Sequence, residues 1–322
     1  MKSTVAVFAK ISDTHKQVLE QYFNVLYVNH IDELSEEKCQ EIQGVLASGG
    51  FTLGEEQLAK LPKLKAASTV SVGYDSYDID ALTNRQVILT HTPGVLDETV
   101  ADTVFALMLS SARRVVELAT WVRSGQWHRS LSDQYFGRDV HHKTIGIVGM
   151  GRIGMAVARR AHLGFGMPVL YHNRHPKEIA QEQFAAQLVA LDELFARADF
   201  IVMLTPLTEQ TYHLIGTQQF EKMKPSAVFI NASRGDVVDE QALIDALEGG
   251  KIAAAGLDVF HQEPIDPDSK LLSMPQVVAL PHIGSATTQT REAMAELAVN
   301  SLVDALVHKN VHHCVNPSAW SL

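Results

Sequence analysis

The chain is poor in cysteine and has no long apolar run. Its 322 residues include two cysteines, Cys39 and Cys314, and no C-x-x-C pair, which excludes zinc ribbons and thioredoxin-type redox sites. A membrane helix needs about 18 consecutive apolar residues, and no run approaches that length. Two distant thiols are typical of a reducing compartment, so we expect a cytoplasmic protein without a disulfide.

Positive charge is also scarce. Lys and Arg number 27 against 37 Asp and Glu, which gives a formal net charge of −10. Nucleic acids and anionic membranes are bound by clustered Lys and Arg, so we expect neither as a partner. The sequence has 15 histidines but no H-E-x-x-H motif. Because a zinc site needs about four converging ligands, we expect no metal.

Short apolar runs alternate with longer helical patterns along the chain. A single hydrophobic core stops growing near ~250–300 residues, so this length predicts two domains. The runs are apolar on both faces, which is typical of parallel strands covered by helices on both sides. Repeated βα units predict a doubly wound α/β architecture. The predicted strands are Thr4–Ala9, Asn24–Val28, Gly44–Ala47, Leu64–Ser68, Val87–Thr90, Thr144–Val148, Pro168–His172, Leu188–Ala190, Phe200–Leu204, Ala227–Asn231, Ala254–Val259 and Val277–Leu280.

Two long helical patterns stand out from the rest. One runs from Thr99 to about Val122, between Gly94 and Gly125, and predicts a single helix separating the two sets of strands. The other runs from about Ser285 to residue 307 and predicts a last helix.

The most specific local pattern is a glycine-rich turn. An apolar run is followed by G-x-G-x-x-G, formed by Gly149, Gly151 and Gly154, and then by a helical pattern. The first glycine permits a tight turn, the second leaves room for a pyrophosphate, and the third lets the helix pack closely on the strand. The helix start at Arg152 and Ile153 offers free N–H groups to phosphates. We predict a dinucleotide site; glycines that merely pack are the alternative.

The segment after the next predicted strand bears on the choice of cofactor. An NAD-selective site has Asp or Glu here to accept the ribose 2′-hydroxyl, but residues 172–177 read HNRHPK, with no carboxylate before Glu178. Asn173 and Arg174 lie at this point, and Arg can bind a 2′-phosphate through a charge-assisted fork. We therefore predict NADPH as the preferred cofactor without excluding NADH. The alternative is an Arg174 that is merely exposed on a loop.

Three further segments place polar residues directly after predicted strands. They carry Arg234, Glu263 and His282. Each has an ordinary alternative. Arg234 could pair with Asp236 or Asp239, Glu263 could be a surface carboxylate, and His282 could be a structural histidine. Ligands of open α/β sheets bind outside the carboxyl ends of the strands, so we expect the three side chains to form one site.

These side chains suit the reduction of a 2-keto acid. A carboxylate such as Glu263 favours the protonated form of a neighbouring histidine. Protonated His282 can give its proton to a carbonyl oxygen while a hydride reaches the carbonyl carbon. Arg234 can hold the substrate carboxylate and polarise the ketone.

The order of these motifs resembles the D-isomer-specific 2-hydroxyacid dehydrogenase family over essentially the whole chain. The matching segments are the glycine-rich turn and residues 231–235, 258–264 and 281–287. The resemblance implies a Rossmann cofactor domain inserted in a flavodoxin-like substrate domain, both of them doubly wound parallel sheets. It also implies that Arg234 anchors the substrate, that Glu263 tunes the histidine, and that His282 is the proton donor.

Further roles follow from the resemblance alone. Ser71, Val72 and Gly73 would belong to a loop whose backbone N–H groups grip the substrate carboxylate. Asp258 would accept a hydrogen bond from the nicotinamide carboxamide. The other implied cofactor contacts are Thr103, Thr205, Pro206 and Ala232. The aromatic candidates for a substrate contact are Tyr74, Trp127 and Tyr135.

The resemblance also predicts the domain organisation. Residues 1–98 and 286–322 would form the substrate domain, and residues 99–285 the dinucleotide-binding domain. The family is usually dimeric, so we expect a homodimer through an arm formed by residues 99–142. This arm contains the aromatics Trp121, Trp127, Tyr135 and Phe136, for which ordinary core packing is the alternative.

A narrower resemblance concerns the substrate. The stretch from Tyr135 to Thr144 resembles a bacterial group within the family that reduces glyoxylate, hydroxypyruvate and 2-ketogluconate with NADPH. The chain is therefore predicted to reduce small 2-keto acids with NADPH. The alternatives are a nucleotide-sensing corepressor of the same fold, which can keep the same Arg, Glu and His, and an NAD-dependent D-lactate or 3-phosphoglycerate dehydrogenase. The segment around Arg174 argues against the two NAD-dependent dehydrogenases.

Overall fold

The computed structural model describes residues 2–320, and the chain divides into two compact α/β units. The first unit contains the residues up to Leu96 together with those from Thr287 onward, and the second runs from Asp97 to Ala286. The predicted division of labour between them, substrate in the first and cofactor in the second, stays a prediction. None of the helices within residues 2–320 has the length and apolarity that crossing a bilayer requires.

The first unit is built on a parallel sheet. Its strands are β1 (Thr4–Val7), β2 (Asn24–Tyr27), β3 (Ile42–Ser48), β4 (Ala66–Val70) and β5 (Ile88–Thr90). They lie in the order β2-β1-β3-β4-β5, which is the flavodoxin-like order. Its helices are α1 (Asp13–Tyr22), α2 (Glu36–Cys39), α3 (Glu55–Lys60), α4 (Ile79–Asn84) and the C-terminal helix α13 (Thr288–Val303).

Alternate residues of β1 bury into the two faces of this sheet, as the period of a strand requires. Val5 and Val7 belong to a core cluster that includes Leu302 of α13. Ala6 belongs to the opposite cluster, which includes Val45 of β3. Both faces are thus covered, which explains why the strands read as apolar throughout.

The second unit is a larger parallel sheet. Its strands are β6 (Ile145–Val148), β7 (Val169–His172), β8 (Gln187–Leu188), β9 (Phe200–Met203), β10 (Val228–Asn231), β11 (Ala254–Leu257) and β12 (Val277–Ala279). They lie in the order β12-β11-β10-β9-β6-β7-β8. This is a Rossmann-type order, in which successive strands are added to one side of β6 and then, from β9 onward, to its other side. The helices are α5 (Asp97–Ala112), α6 (Val115–Arg123), α7 (Arg152–Arg159), α8 (Glu178–Phe184), α9 (Leu191–Arg197), α10 (Thr217–Lys222), α11 (Glu240–Glu248) and α12 (Lys270–Ser273). The predicted fold class is confirmed.

The register of this sheet brings its strand ends to one edge. Val148 pairs with Met203, and Met203 pairs with Asn231. Asn231 pairs in turn with Leu257, the last residue of β11. The residues that follow these strands therefore emerge side by side, which is where an open α/β sheet binds its ligands.

The single helix predicted from Thr99 to Val122 is wrong, because the structure has two helices, α5 and α6. Arg114 lies between them with a left-handed φ of 54°, and its guanidinium donates to both carboxylate oxygens of Glu117, at 2.7 and 2.6 Å. The apolar pattern continues across this break, so periodicity alone could not reveal it. The last helix also differs from the prediction, because α13 ends at Val303 and a π-helical turn, Asp304–His308, follows it.

Candidate active site

The glycine-rich turn joins β6 to α7 and two of its glycines are sterically required. Gly149 has a φ of 104°, and a Cβ there would lie 2.8 Å from the carbonyl carbon of Leu204. A Cβ on Gly154 would lie 2.5 Å from the carbonyl oxygen of Gly149. Any larger residue at either position would push the turn away from β9 or from α7.

Gly151 is different, because no heavy atom of the described chain lies within 4 Å of its Cβ position. It is the N-cap of α7, so the N–H groups of Arg152 and Ile153, at the first turn, have no partner within the helix. Near Gly149, the buried hydroxyl of Thr205 has no hydrogen-bond partner within residues 2–320. An open space beside helix N–H groups and an orphaned hydroxyl fits a dinucleotide phosphate.

The loop after β7 presents Arg174 to solvent. The Nδ1 of His172 lies 3.1 Å from the carbonyl oxygen of Val189, and the amide of Asn173 donates to the His175 carbonyl at 2.9 Å. These bonds hold the loop that carries Arg174, whose side chain is exposed. Exposure is compatible both with a bound 2′-phosphate and with an ordinary surface arginine.

The loop after β10 is built by the buried side chain of Asn231. Its Oδ1 accepts from the backbone N–H and the hydroxyl of Ser233, at 3.1 and 2.8 Å, and its amide donates to the carbonyl of Arg234 at 2.9 Å. Arg234 is half-buried at the end of this turn. Asp239, an alternative partner for Arg234, instead caps α11 by accepting from the Ala242 N–H at 3.1 Å.

The predicted Glu263 and His282 are in direct contact. The Nδ1 of His282 donates to Oε2 of Glu263 at 2.7 Å, and Oε1 of Glu263 accepts from the Phe260 N–H at 3.1 Å. Partial burial by itself raises the pKa of Glu263. The hydrogen bond and charge of His282, with the Phe260 N–H and the charge of Arg234, outweigh burial and hold that pKa below its ordinary value. Glu263 thus stays ionised at neutral pH, and the Nε2 of half-exposed His282 is left for a substrate.

Asp258 fixes the backbone on which His282 stands. Its two oxygens accept from the N–H groups of Ile283 and Gly284, both at 2.7 Å. Its side chain is 2% exposed, and burial raises the pKa of this carboxyl although those two hydrogen bonds oppose the rise. His282 has a left-handed φ of 52°, a conformation that persists where surrounding contacts enforce it. The nicotinamide contact assigned to Asp258 stays a prediction.

The remaining predicted cofactor residues lie around this edge with weaker support. The Thr103 hydroxyl donates to the Thr99 carbonyl at 3.2 Å. Val100, one turn before Thr103 on α5, lies beside Gly284. Ala232 follows β10, and Pro206 is exposed after β9.

Arg152 bonds to Asp97, a residue that the sequence analysis did not single out. Its Nε donates to Oδ2 of Asp97 at 2.9 Å, and Asp97 is nearly buried at the start of α5. The two residues are separated by 55 positions in the sequence, so the sequence around the glycine-rich turn gives no sign of the pair.

The predicted substrate loop lies in the first unit, after β4. The Ser71 carbonyl accepts from the Thr92 N–H at 2.9 Å, and the Ser71 hydroxyl accepts from the Gly73 N–H at 3.1 Å. The Val72 carbonyl lies 3.0 Å from Nδ1 of His91. These contacts fix a half-buried backbone loop, and its role in binding substrate stays a prediction.

The aromatic candidates occupy different settings. Tyr74 packs edge-on against His91, and Tyr135 stacks on Trp121 with ring centroids 5.1 Å apart. Trp127 is 62% exposed. Within residues 2–320, no three His, Cys, Asp or Glu side chains are grouped to hold a metal ion.

Comparisons with known proteins agree with this geometry. A sequence profile described as "D-isomer specific 2-hydroxyacid dehydrogenase, NAD binding domain" matches residues 105–284. Glyoxylate/hydroxypyruvate reductase B of Yersinia enterocolitica is 54% identical over 324 residues, covering 98% of each chain.

Solved structures give the same result. The NADPH-dependent glyoxylate/hydroxypyruvate reductase of Sinorhizobium meliloti, in complex with NADP and malonate, superposes with a TM-score of 0.90 at 31% identity, covering 100% of this chain and 99% of that one. The D-lactate dehydrogenase of Aquifex aeolicus, with NAD and lactic acid, gives a TM-score of 0.87 at 28% identity, covering 97% and 99%. The resemblance inferred from the motifs is thus confirmed, and the chain belongs to the D-isomer specific 2-hydroxyacid dehydrogenase family of oxidoreductases.

Proposed function

We propose that the chain reduces small 2-keto acids to 2-hydroxy acids with NADPH. Glyoxylate and hydroxypyruvate are the proposed substrates, giving glycolate and D-glycerate, and 2-keto-D-gluconate is a further one. The observation that carries the proposal is the 2.7 Å hydrogen bond between Glu263 and His282, set beside the Arg234 loop. Relatives named as glyoxylate/hydroxypyruvate reductase B at about 54% identity support the choice of substrates.

His282 is the proposed proton donor. A bound nicotinamide cofactor supplies the hydride, and the chain must supply the proton that the product alkoxide needs. Glu263 accepts from Nδ1, which fixes the ring orientation and stabilises the imidazolium. Nε2 then carries the proton to be given to the carbonyl oxygen. Asp258 keeps the ring in place through the two N–H groups that follow it.

Arg234 is the proposed anchor for the substrate carboxylate. A guanidinium binds a carboxylate with two parallel hydrogen bonds, which fixes orientation as well as position. Its half-buried setting reduces competition from water. The Ser71–Gly73 loop is proposed, on the family resemblance alone, to offer backbone N–H groups to a substrate carboxylate.

The proposed preference for NADPH rests on the loop after β7. It lacks the carboxylate that would repel a 2′-phosphate, and it exposes Arg174. The Sinorhizobium meliloti relative is described as NADPH-dependent, whereas the Aquifex aeolicus one was crystallised with NAD. The family therefore includes both kinds of site, and the residues of this loop favour the first.

The direct test follows cofactor oxidation by absorbance at 340 nm. Glyoxylate, hydroxypyruvate, 2-ketogluconate, pyruvate and 3-phosphohydroxypyruvate are each assayed with NADPH and with NADH. Turnover of the first three with NADPH supports the proposal. Turnover of pyruvate or 3-phosphohydroxypyruvate with NADH would point to the dehydrogenase alternatives, and no turnover at all would favour a nucleotide-sensing protein.

Arg174→Ala tests the cofactor preference in the same assay. Losing a charge-assisted contact to the 2′-phosphate should raise the KM for NADPH about tenfold or more, with little change for NADH. The exposed Arg291 on α13 provides a matched control, since Arg291→Ala removes one surface charge without touching the β7 loop. Equal effects of Arg174→Ala on both cofactors would remove the basis for the preference.

A homodimer through residues 99–142 is part of the proposal. Val115, Val116 and Val122 of α6 are about half exposed, and Trp127 and Phe136 are more than 60% exposed. Apolar side chains gathered on one segment mark a surface for association. Light scattering should give twice the chain mass at micromolar concentration, and a monomer mass would contradict the dimer.

A further inference from the structure

A second histidine–carboxylate pair, formed by His261 and Asp236, lies on the loops that carry Glu263 and Arg234. The Nδ1 of His261 donates a hydrogen bond to Oδ1 of Asp236. His261 is two residues before Glu263, and Asp236 is two residues after Arg234. The pair therefore joins the loop that carries the proposed anchor to the loop that carries the carboxylate of the proposed proton donor.

Two other contacts join the same loops at the same place. A Cβ on Gly235 would lie 1.9 Å from the carbonyl carbon of Phe260, so the two backbones touch. The His261 N–H donates to Oε2 of Glu240 at 3.3 Å. Phe260 in turn donates its N–H to Glu263. A shift of one loop against the other would thus move Arg234 relative to the Glu263 carboxylate.

We propose that Asp236 and His261 are positioning residues, which lock the Arg234 loop onto the Phe260–Glu263 loop and so set the distance between the substrate anchor and the proton donor. This inference rests on the proposed function, because the roles of Arg234 as substrate anchor and of His282 as proton donor belong to that proposal. Neither residue touches the substrate. Their effect is on the geometry with which a keto acid is held.

The charges around His261 make the lock depend on pH. The hydrogen bond and charge of Asp236 raise the pKa of His261, although slight burial opposes the rise, and the carboxylate of Glu240 adds to it. The His213 N–H donates to the backbone carbonyl of Asp236 at 2.8 Å, which leaves the Asp236 carboxylate to His261. A histidine with a raised pKa keeps its charged pair below that pKa and loses it as pH rises through it. The charged pair of His261 and Asp236 is therefore intact at acidic to neutral pH and weakened at higher pH.

The test uses His261→Ala, Asp236→Ala, the double variant and His261→Gln in the NADPH-dependent reduction of glyoxylate. Each single alanine variant should raise the KM for glyoxylate about 3- to 10-fold, the worth of one hydrogen bond, with a smaller change in kcat. The double variant should be no worse than the poorer single variant, because residues that act as one unit are not additive. His261→Gln should retain part of the affinity and remove the rise of KM with pH that the lock predicts.

The control is His30→Ala. His30 is an exposed histidine of the first unit, outside the 99–142 arm of the proposed homodimer. This variant should change neither KM nor its pH dependence. Thermal unfolding and NADPH affinity, from fluorescence titration, should be unchanged in all the variants, which separates positioning from a general loss of structure.

Three results would overturn the proposal: unchanged KM in both alanine variants, additive effects in the double variant, or a KM that rises only in step with a falling Tm. The affinity for oxalate, an unreactive analogue of glyoxylate, is measured on every protein by calorimetry with NADPH present. If the wild type binds oxalate but turns over no keto acid, the proposed function fails. The oxalate affinities then still decide whether the pair positions Arg234.

Discussion

The same sheet edge of the second unit carries two kinds of proposed anion site. The turn after β6 offers backbone N–H groups around Gly151, where the protein leaves space. The loops after β10, β11 and β12 offer charged side chains, with Glu263 bound to His282. A site made of backbone is damaged by added atoms, whereas a site made of side chains is damaged by removed ones. Mutations that add or remove a few atoms should therefore distinguish the two.

The largest effect is expected where a reacting side chain is removed. His282→Asn deletes the proposed proton donor, and asparagine tolerates the left-handed backbone that His282 adopts. We expect kcat for glyoxylate to fall about 10²- to 10⁴-fold, the usual contribution of a general acid. The dissociation constant for NADPH should stay the same in a fluorescence titration, because the β6 turn is untouched.

The control for this variant is again His30→Ala, which removes an exposed imidazole of the first unit. It should leave kcat unchanged. If His282→Asn keeps wild-type turnover, the proton comes from another group and the side-chain site has been assigned wrongly.

The two kinds of site also differed in how well the sequence revealed them. The glycine turn lies within six consecutive residues, Gly149–Gly154, so strand, turn and helix could be predicted together. Each predicted strand likewise overlaps an observed one, because strands buried on both faces are locally apolar. Arg234, Glu263 and His282 were predicted as one site because each lies in a loop that follows a strand, and parallel strands end at one edge.

What the sequence could not reveal depends on distant partners or on a single dihedral angle. Asp97 and Arg152 are 55 residues apart, and Asp236 and His261 are 25 apart. Asp236 was considered only as a partner for Arg234, because His261, which also bonds to it, lies on a loop after a different strand. The break at Arg114 is one left-handed residue within a continuous apolar pattern, which periodicity cannot detect.

A middle effect is expected where one methyl group is added to the backbone site. Gly151→Ala places a Cβ in a space that the described chain leaves open, so Tm should not change. If that space holds a pyrophosphate, the dissociation constant for NADPH should rise about tenfold or more, since each tenfold corresponds to about 1.4 kcal/mol. Fluorescence titration and thermal unfolding measure the two quantities separately.

Two other glycines serve as controls for this variant. Gly164→Ala also adds a methyl group into open space, and it should change neither NADPH affinity nor Tm. Gly154→Ala should lower the stability by about 1–3 kcal/mol, because its Cβ would press on the Gly149 carbonyl. An unchanged NADPH affinity for Gly151→Ala would remove the phosphate from the space beside it.

The smallest effect is expected in the first unit, at the backbone loop of Ser71–Gly73. A Cβ on Gly49 would lie 2.8 Å from the Ser71 hydroxyl and 2.9 Å from the Ser71 Cβ, so Ser71 has to shift. Gly49→Ala should therefore raise the KM for glyoxylate about two- to fivefold with kcat unchanged, as expected when binding alone is weakened. Gly50→Ala is the matched control, because it changes the adjacent residue and meets no atom of the described chain within 4 Å. Equal KM values for the two variants would show that the position of Ser71 does not matter for the substrate, and the proposed carboxylate contact would then be confined to Arg234.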